Sequence, residues 1–286
     1  MKIKKILCAV AAFAFTVVAA VSASACGKSE KLTVKNIELT TEEYAFAIAK
    51  ENTTLLEQVN GYIAGWKEDG SLNTLINSYF DGKATFSYTN ATTTPQSGDF
   101  VVATNAFFPP FESYNNDSAF VGVDIEIAYK IAQELGKTLF VKDMDFDSII
   151  SSVKSGESTI GMAGMTVNAT RLEQVNFATS YYTSAQVITV VESDTTFDNC
   201  ETAEDVEAIL KTKDKSYTIG TQAGTTGFMY SNGDADFGYD GFTNLTTKAY
   251  STGALAMKDL SNGKINAVIL DLQPSLMISN SVNETL

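Results

Sequence analysis

Arg171 is the single arginine in a chain that otherwise carries 19 lysines. A planar guanidinium grips a carboxylate through two parallel hydrogen bonds, which an ammonium cannot reproduce. The bland alternative is a surface ion pair with Glu173 or Asp147. Asp271 follows the apolar run Asn266-Ala267-Val268-Ile269-Leu270 and precedes a helix opened near Pro274. An acid there either serves a ligand or forms an ordinary turn or helix cap. Thr225 and Thr226 follow Gly224 at the start of another helix, where free backbone N–H groups favour an anion. The chain has no histidine, which removes Ser-His-Asp and Cys-His catalysis together with the commonest metal ligand. No acidic cluster has calcium-loop spacing.

These residues sit where an alternating α/β chain would place them. Phe100-Val101-Val102-Ala103 reads as a strand. Ile125, Ala128, Ala132 and Leu135 then repeat at helical spacing, with Asp124 as the expected N-cap and Gly136 as the stop. Leu139-Phe140-Val141 and Thr159 to Ala163 give two more strands around a short helix from Ile149 to Val153. A second round begins at Tyr217-Thr218-Ile219, continues through helices from Thr225 and from Leu255, and ends in a strand from Ile265 to Leu270. Two such rounds predict two mainly parallel sheets covered by helices. In open α/β sheets, ligands bind beyond the carboxyl ends of strands. That rule singles out the segments following Ala103, Ala163, Gly220 and Leu270.

In order and at compatible spacing, several motifs make the chain resemble the polar amino-acid family of bacterial extracellular solute-binding proteins, the receptors of ABC importers. They are Ala103-Thr104-Asn105-Ala106-Phe107-Phe108-Pro109-Pro110-Phe111, Met144-Asp145-Phe146-Asp147, Ala163-Gly164-Met165-Thr166, Arg171, Gln222-Ala223-Gly224-Thr225-Thr226-Gly227 and Asp271. The resemblance implies a two-lobed α/β fold of the type II periplasmic-binding-protein class, with hinge strands between the lobes. It implies that Arg171, with Thr225 and Thr226, takes the carboxylate of an amino acid, and that Asp271 takes its α-ammonium group. Thr166 would offer a hydroxyl, Ala163 and Gly164 backbone groups, and Gln222 stands in the same motif set. Phe108 and Phe146 would sandwich the ligand's side chain, although core packing is the usual fate of Phe. Asn105 stands where basic-amino-acid binders of the family often carry Asp, which leans the ligand towards a neutral polar amino acid. Phe111 is assigned to the core.

One block is out of family order. Thr40 to Lys50 resembles the strand by which the family's chain crosses back between lobes. Leu55, Leu56, Val59, Tyr62, Ile63 and Trp66 then form a helical stripe, followed by a second helix from Ser71 to about Phe80. In the family this block closes the chain, so a circular permutant is expected. Its divisions would be residues 32–43 as an edge segment of lobe two, 44–80 as hinge strand and closing helices of lobe one, and 81–98 as the new connection. Residues 99–184 would form lobe one and 185–286 lobe two. Eighteen residues reach at most about 60 Å, enough for that connection. Leu286 should then lie near Leu32. A leftover duplicate, or a block completing a neighbouring copy, are the alternatives. The hinges are expected around Ala185-Gln186-Val187 and Phe46-Ala47-Ile48.

Residues 1–25 read as a signal peptide: Lys2, Lys4 and Lys5, an apolar run from Ile6 to Val21, then Ala23-Ser24-Ala25 before Cys26. That site fits an ordinary signal peptidase, and also a lipobox that would lipidate Cys26, except that Ala23 replaces the usual Leu. Residues 26–31 would be a tether, and the protein an extracytoplasmic monomer anchored to the outer face of the membrane. Removing the segment leaves 17 basic against 34 acidic residues. Nucleic acid is excluded as a partner, because phosphate binding depends on Lys/Arg clusters. With Cys8 removed and Cys26 terminal, Cys200 stands alone and no disulfide framework exists. No cofactor is implied. The resulting expectation is a non-enzymatic receptor that closes on a zwitterion and docks on an ABC permease. A sensor without an importer and a dehydratase-like enzyme are the competing readings.

Overall fold

The computed structural model describes residues 29–286. The expected signal segment and Cys26 lie outside the described residues. In chain order the elements begin with β1 (Leu32–Lys35), β2 (Glu42–Tyr44), β3 (Ala47–Ile48), α1 (Thr53–Glu68) and α2 (Ser71–Phe80). There follow β4 (Phe100–Thr104), β5 (Phe107–Phe108), β6 (Glu112–Tyr114), β7 (Phe120–Val121), α3 (Val123–Glu134), β8 (Leu139–Asp143), α4 (Ile149–Lys154), β9 (Ile160–Gly161) and α5 (Ala169–Gln174). Next come β10 (Asn176–Phe177), β11 (Tyr182–Ser184), β12 (Gln186–Val191), α6 (Ala203–Lys211), β13 (Thr218–Gln222) and α7 (Thr226–Asn232). The chain ends with β14 (Thr246–Tyr250), α8 (Gly253–Ser261), β15 (Ala267–Asp271) and α9 (Leu272–Glu284).

Two five-stranded sheets carry the fold, in the orders β10-β3-β9-β4-β8 and β1-β12-β15-β13-β14. We call the units built on them the first and second lobe. The sheets are mixed rather than mainly parallel. Each has two parallel pairs (β9 with β4 and β4 with β8; β15 with β13 and β13 with β14) and two antiparallel ones. The parallel part is the βαβ alternation visible in the sequence. The antiparallel part comes from a feature that local periodicity cannot reveal. β1, β2 and β3 run antiparallel to β12, β11 and β10 in turn, so one continuous ribbon passes from the second lobe to the first. The narrow point of that ribbon is β2 with β11, at residues 42–44 and 182–184. The crossing therefore lies a few residues away from Phe46-Ala47-Ile48 and Ala185-Gln186-Val187, which belong mainly to the two large sheets.

Residues 53–80 close the first lobe. Asn52 caps α1 by accepting the Leu55 N–H. Leu55, Val59 and Ile63, four residues apart, bury one face of that helix. Gly70 turns the chain with φ +77° into α2, which buries Leu72, Leu75, Ile76 and Tyr79. These side chains share a core with Val102, Ile125 and Ile131 of the first lobe. Residues 81–98 dock along that lobe: Tyr88 exchanges backbone hydrogen bonds with Phe120, and the Asn90 amide bonds both Val141 N–H and C=O at 2.8 Å. At the other end, the Asn283 amide bonds both backbone groups of Leu32, at 2.7 and 3.0 Å, fixing α9 against β1.

Candidate ligand site between the lobes

The carboxyl ends of β4, β9, β13 and β15 converge on a cavity between the lobes. Asn105, Phe108, Phe146, Ala163, Gly164, Thr166 and Arg171 line it from the first lobe, and Gln222, Thr225, Thr226 and Asp271 from the second. The walls stand close together in this closed arrangement and leave a cavity of only about 10 Å³ between them. All eleven residues singled out from the sequence face this one space.

Arg171 lies in α5, where Asn168 caps the helix by accepting the Arg171 N–H at 2.9 Å. Its guanidinium is buried and forms no ion pair among the described residues. The surface-pair alternative with Glu173 or Asp147 is thereby set aside. Nη1 donates to the Thr166 carbonyl at 2.6 Å and Nη2 crosses to the Gly224 carbonyl at 3.0 Å, while the guanidinium carbon lies 5.3 Å above the centre of the Phe146 ring. Burial pulls the Arg171 pKa down to about 10, still far above neutrality. Its hydrogen bonds go only to neutral carbonyls, while the Glu42 and Asp271 carboxylates act on it without direct contact, so a ligand anion could pair with it directly.

Asp271 is buried at the end of β15. It precedes α9, yet its side chain makes no cap bond to that helix; it accepts the Tyr44 hydroxyl instead. Burial first, and then the nearby Glu42 carboxylate, push Asp271 up to about 7. Glu42 is itself buried and accepts the Thr166 hydroxyl at 2.5 Å and the Thr40 hydroxyl at 2.7 Å. Glu42 and Tyr44 lie beside the site and were missed by sequence reasoning. The available signal was their i, i+2 spacing on a crossing strand, which puts two polar side chains on one face of it.

The lobes touch across the cavity. Gln222 donates its amide to Asn105 Oδ1 at 2.9 Å, and Asn105 donates in turn to the Met144 carbonyl at 2.9 Å. Gln222 Oε1 and Thr226 Oγ1 line the site buried and without a protein partner. Both atoms are therefore free to hydrogen-bond a polar group that enters the cavity. Phe108 is buried against Phe111, with ring centres 6.0 Å apart. Gly164, at φ +52°, leaves little room for a side chain, since a Cβ would stand 2.8 Å from the Phe108 ring and 3.2 Å from Tyr44. Its N–H donates to Asp124 Oδ2 at 2.9 Å. Asp124 therefore supports the site instead of capping α3, whose N-cap is Gly122. Burial raises Asp124 to about 7.

Two α/β lobes, a double-stranded crossing and a polar cavity between the lobes define the type II periplasmic-binding architecture. Residues 100–265 match the bacterial extracellular solute-binding proteins, family 3, and the chain belongs to that family. It is 38% identical over 88 residues to the arginine-binding extracellular protein ArtP of Bacillus subtilis (strain 168), covering 31% of this chain and 34% of that protein. It is 29% identical over 167 residues to the ABC transporter arginine-binding protein 1 of Escherichia coli (strain K12), covering 58% and 60%. The chain thus matches between a third and three fifths of the length of these relatives. Among solved structures it is similar to an ancestral arginine-binding protein bound to glutamine (27% identity, TM-score 0.52, 67% of this chain and 75% of that one). It is also similar to the substrate binding protein of an amino acid ABC transporter (30%, TM-score 0.53, 65% and 76%). A further neighbour is the ancestral amino acid-binding protein AncCDT-1, a precursor of cyclohexadienyl dehydratase (25%, TM-score 0.55, 65% and 74%).

Proposed function

We propose that this protein is an extracytoplasmic receptor that captures a free polar amino acid by closing its two lobes, and that it passes the ligand to an ABC permease without chemical change. The observation that carries the reading is the division of charge across the cavity. A buried guanidinium stands on one wall and a buried carboxylate on the other. Arg171, Thr225 and Thr226 take the ligand's carboxylate, Asp271 and Thr166 its ammonium group, and Ala163 and Gly164 offer backbone groups. Phe108 and Phe146 flank the side chain, whose far end meets Asn105 and Gln222. A zwitterion satisfies both walls only when the lobes close, so it shifts the population towards the closed form. The names of the relatives favour an amino acid with a basic side chain, whereas the Asn105–Gln222 amide pair favours a neutral one.

The chain order belongs to the same proposal: a circular permutant in which residues 32–80 supply the edge of lobe two and then close lobe one. The Asn283–Leu32 contact and the docked connection at 81–98 support it. The proposed setting is the outer face of the cell membrane, with the protein as a monomer held by lipid on Cys26. No described helix is long and apolar enough to cross a membrane.

A dehydratase-like enzyme is the second reading. An acid–base group works best near the working pH, and Asp271 titrates near 7. A thermal-shift screen of the 20 amino acids with cystine and ornithine separates the two. A ligand at 100 times its Kd stabilises by about 2.7 kcal/mol. One or two hits, recovered unchanged after incubation, support the receptor. No shift from any amino acid, or turnover of a prephenate-like acid, overturns it.

A further inference from the structure

The crossing ribbon carries two buried polar side chains that the cavity lining does not include. Glu42 and Tyr44 leave the same face of β2 and are 3% and 0% exposed. They reach in opposite directions. The chain just before Glu42 is tied to the second lobe, by the Leu39 N–H to the Gln186 carbonyl and by the Gln186 N–H to the Thr40 hydroxyl, both at 2.9 Å. Yet the Glu42 carboxylate takes its Thr166 hydrogen bond from the first lobe. Around Tyr44 the backbone is tied to the first lobe, through Glu43 C=O to Val167 N–H and Ala45 N–H to Met165 C=O. Yet the Tyr44 hydroxyl reaches Asp271 of the second lobe. Each side chain thus starts near one lobe and ends on the other, and each ends on a residue that lines the cavity.

Two crossed bonds over the narrowest part of a two-stranded crossing constrain rotation about it. Opening the lobes by turning at β2 and β11 separates Thr166 from Glu42 and Asp271 from Tyr44 together. Both bonds are buried and involve a carboxylate, the class of hydrogen bond that contributes most. We infer that Glu42 and Tyr44 are positioning residues that latch the hinge, holding Thr166 and Asp271 in their binding geometry and biasing the ligand-free protein towards the closed form. Tyr44 occupies Oδ1 of Asp271. The latch rests on the reading that the two lobes open and close, and needs no particular ligand.

Small-angle scattering of the ligand-free protein tests the latch. Tyr44→Phe keeps the ring and removes the hydroxyl, and Glu42→Leu removes the acceptor at similar size, since a glutamine amide oxygen would still accept the Thr166 hydroxyl. The double variant should show a larger radius of gyration than the unmodified protein, corresponding to a closed-to-open ratio lowered about tenfold or more, with far-UV circular dichroism unchanged. If the double variant does not fold, Tyr44→Phe alone should expand in the same direction. Identical scattering from the variant and the unmodified protein would overturn the latch. So would an unmodified protein that is already as extended without ligand as two separated lobes. Neither result depends on which molecule, if any, the amino-acid screen identifies.

Discussion

The two lobes share one sheet plan and divide the chemistry. In each, a parallel trio built by βαβ steps is extended by two antiparallel strands, one from residues 32–48 and one from residues 176–191. The first lobe presents the guanidinium, the two phenylalanines and the Thr166 hydroxyl to the cavity, and the second presents two threonines, an amide and a carboxylate. Neither wall alone balances a zwitterion. The fold supplies two similar platforms, and the residues at their strand ends make them complementary to opposite ends of one small molecule.

The largest effect should come from removing the cation of the first lobe. Arg171→Ala is expected to weaken amino-acid binding by a hundredfold or more, measured by calorimetry, since a charged hydrogen-bonding partner contributes about 1.5–3 kcal/mol and Arg171 offers two donors. Equal affinity in that variant would break the comparison at once.

The matching change in the second lobe, Asp271→Asn, should cost about tenfold to a hundredfold, and it carries a pH signature. Asp271 titrates near 7 in the folded protein, because burial and then Glu42 raise it, against about 4 in an unfolded chain. Between those values the folded state holds the proton that the unfolded state has lost. Ligand-free stability therefore falls as pH rises from about 4 to 7. Asp124, also raised to about 7 by burial, has the same sign. Pairing with an ammonium group needs the ionised Asp271, so affinity should rise towards tenfold per pH unit below 7 and flatten above it. Asp271→Asn should remove that slope; a slope that survives would assign the titration to another group.

Two smaller changes sharpen the structural side. Gly164→Ala places a Cβ against Phe108 and Tyr44 at positive φ, and should lower unfolding free energy by about 1–3 kcal/mol. Asn283→Ala removes both bonds to Leu32 and should cost about 1 kcal/mol in a denaturant titration. No change there would mean that α9 holds β1 by packing alone.

The alternating elements of residues 100–271 were legible because helical and strand periodicities are local. The lining residues were legible because strand ends follow from those elements, and the family motifs fall on them. The antiparallel half of each sheet was not, since the pairing of β1 with β12 joins residues 32–35 to 188–191 and leaves no local pattern. Asp124 looked like a helix cap because acids favour that position. Its carboxylate goes instead to Gly164, a contact 40 residues away. Glu42 and Tyr44 escaped for the same reason: their partners, Thr166 and Asp271, lie 124 and 227 residues along the chain.

The most direct test of the central claim is a crystal structure with the amino acid that gives the largest thermal shift. The ligand should lie between the lobes with its carboxylate on Arg171 and its ammonium group on Asp271. Density elsewhere, or an amino acid bound with neither end on these two residues, would contradict the account.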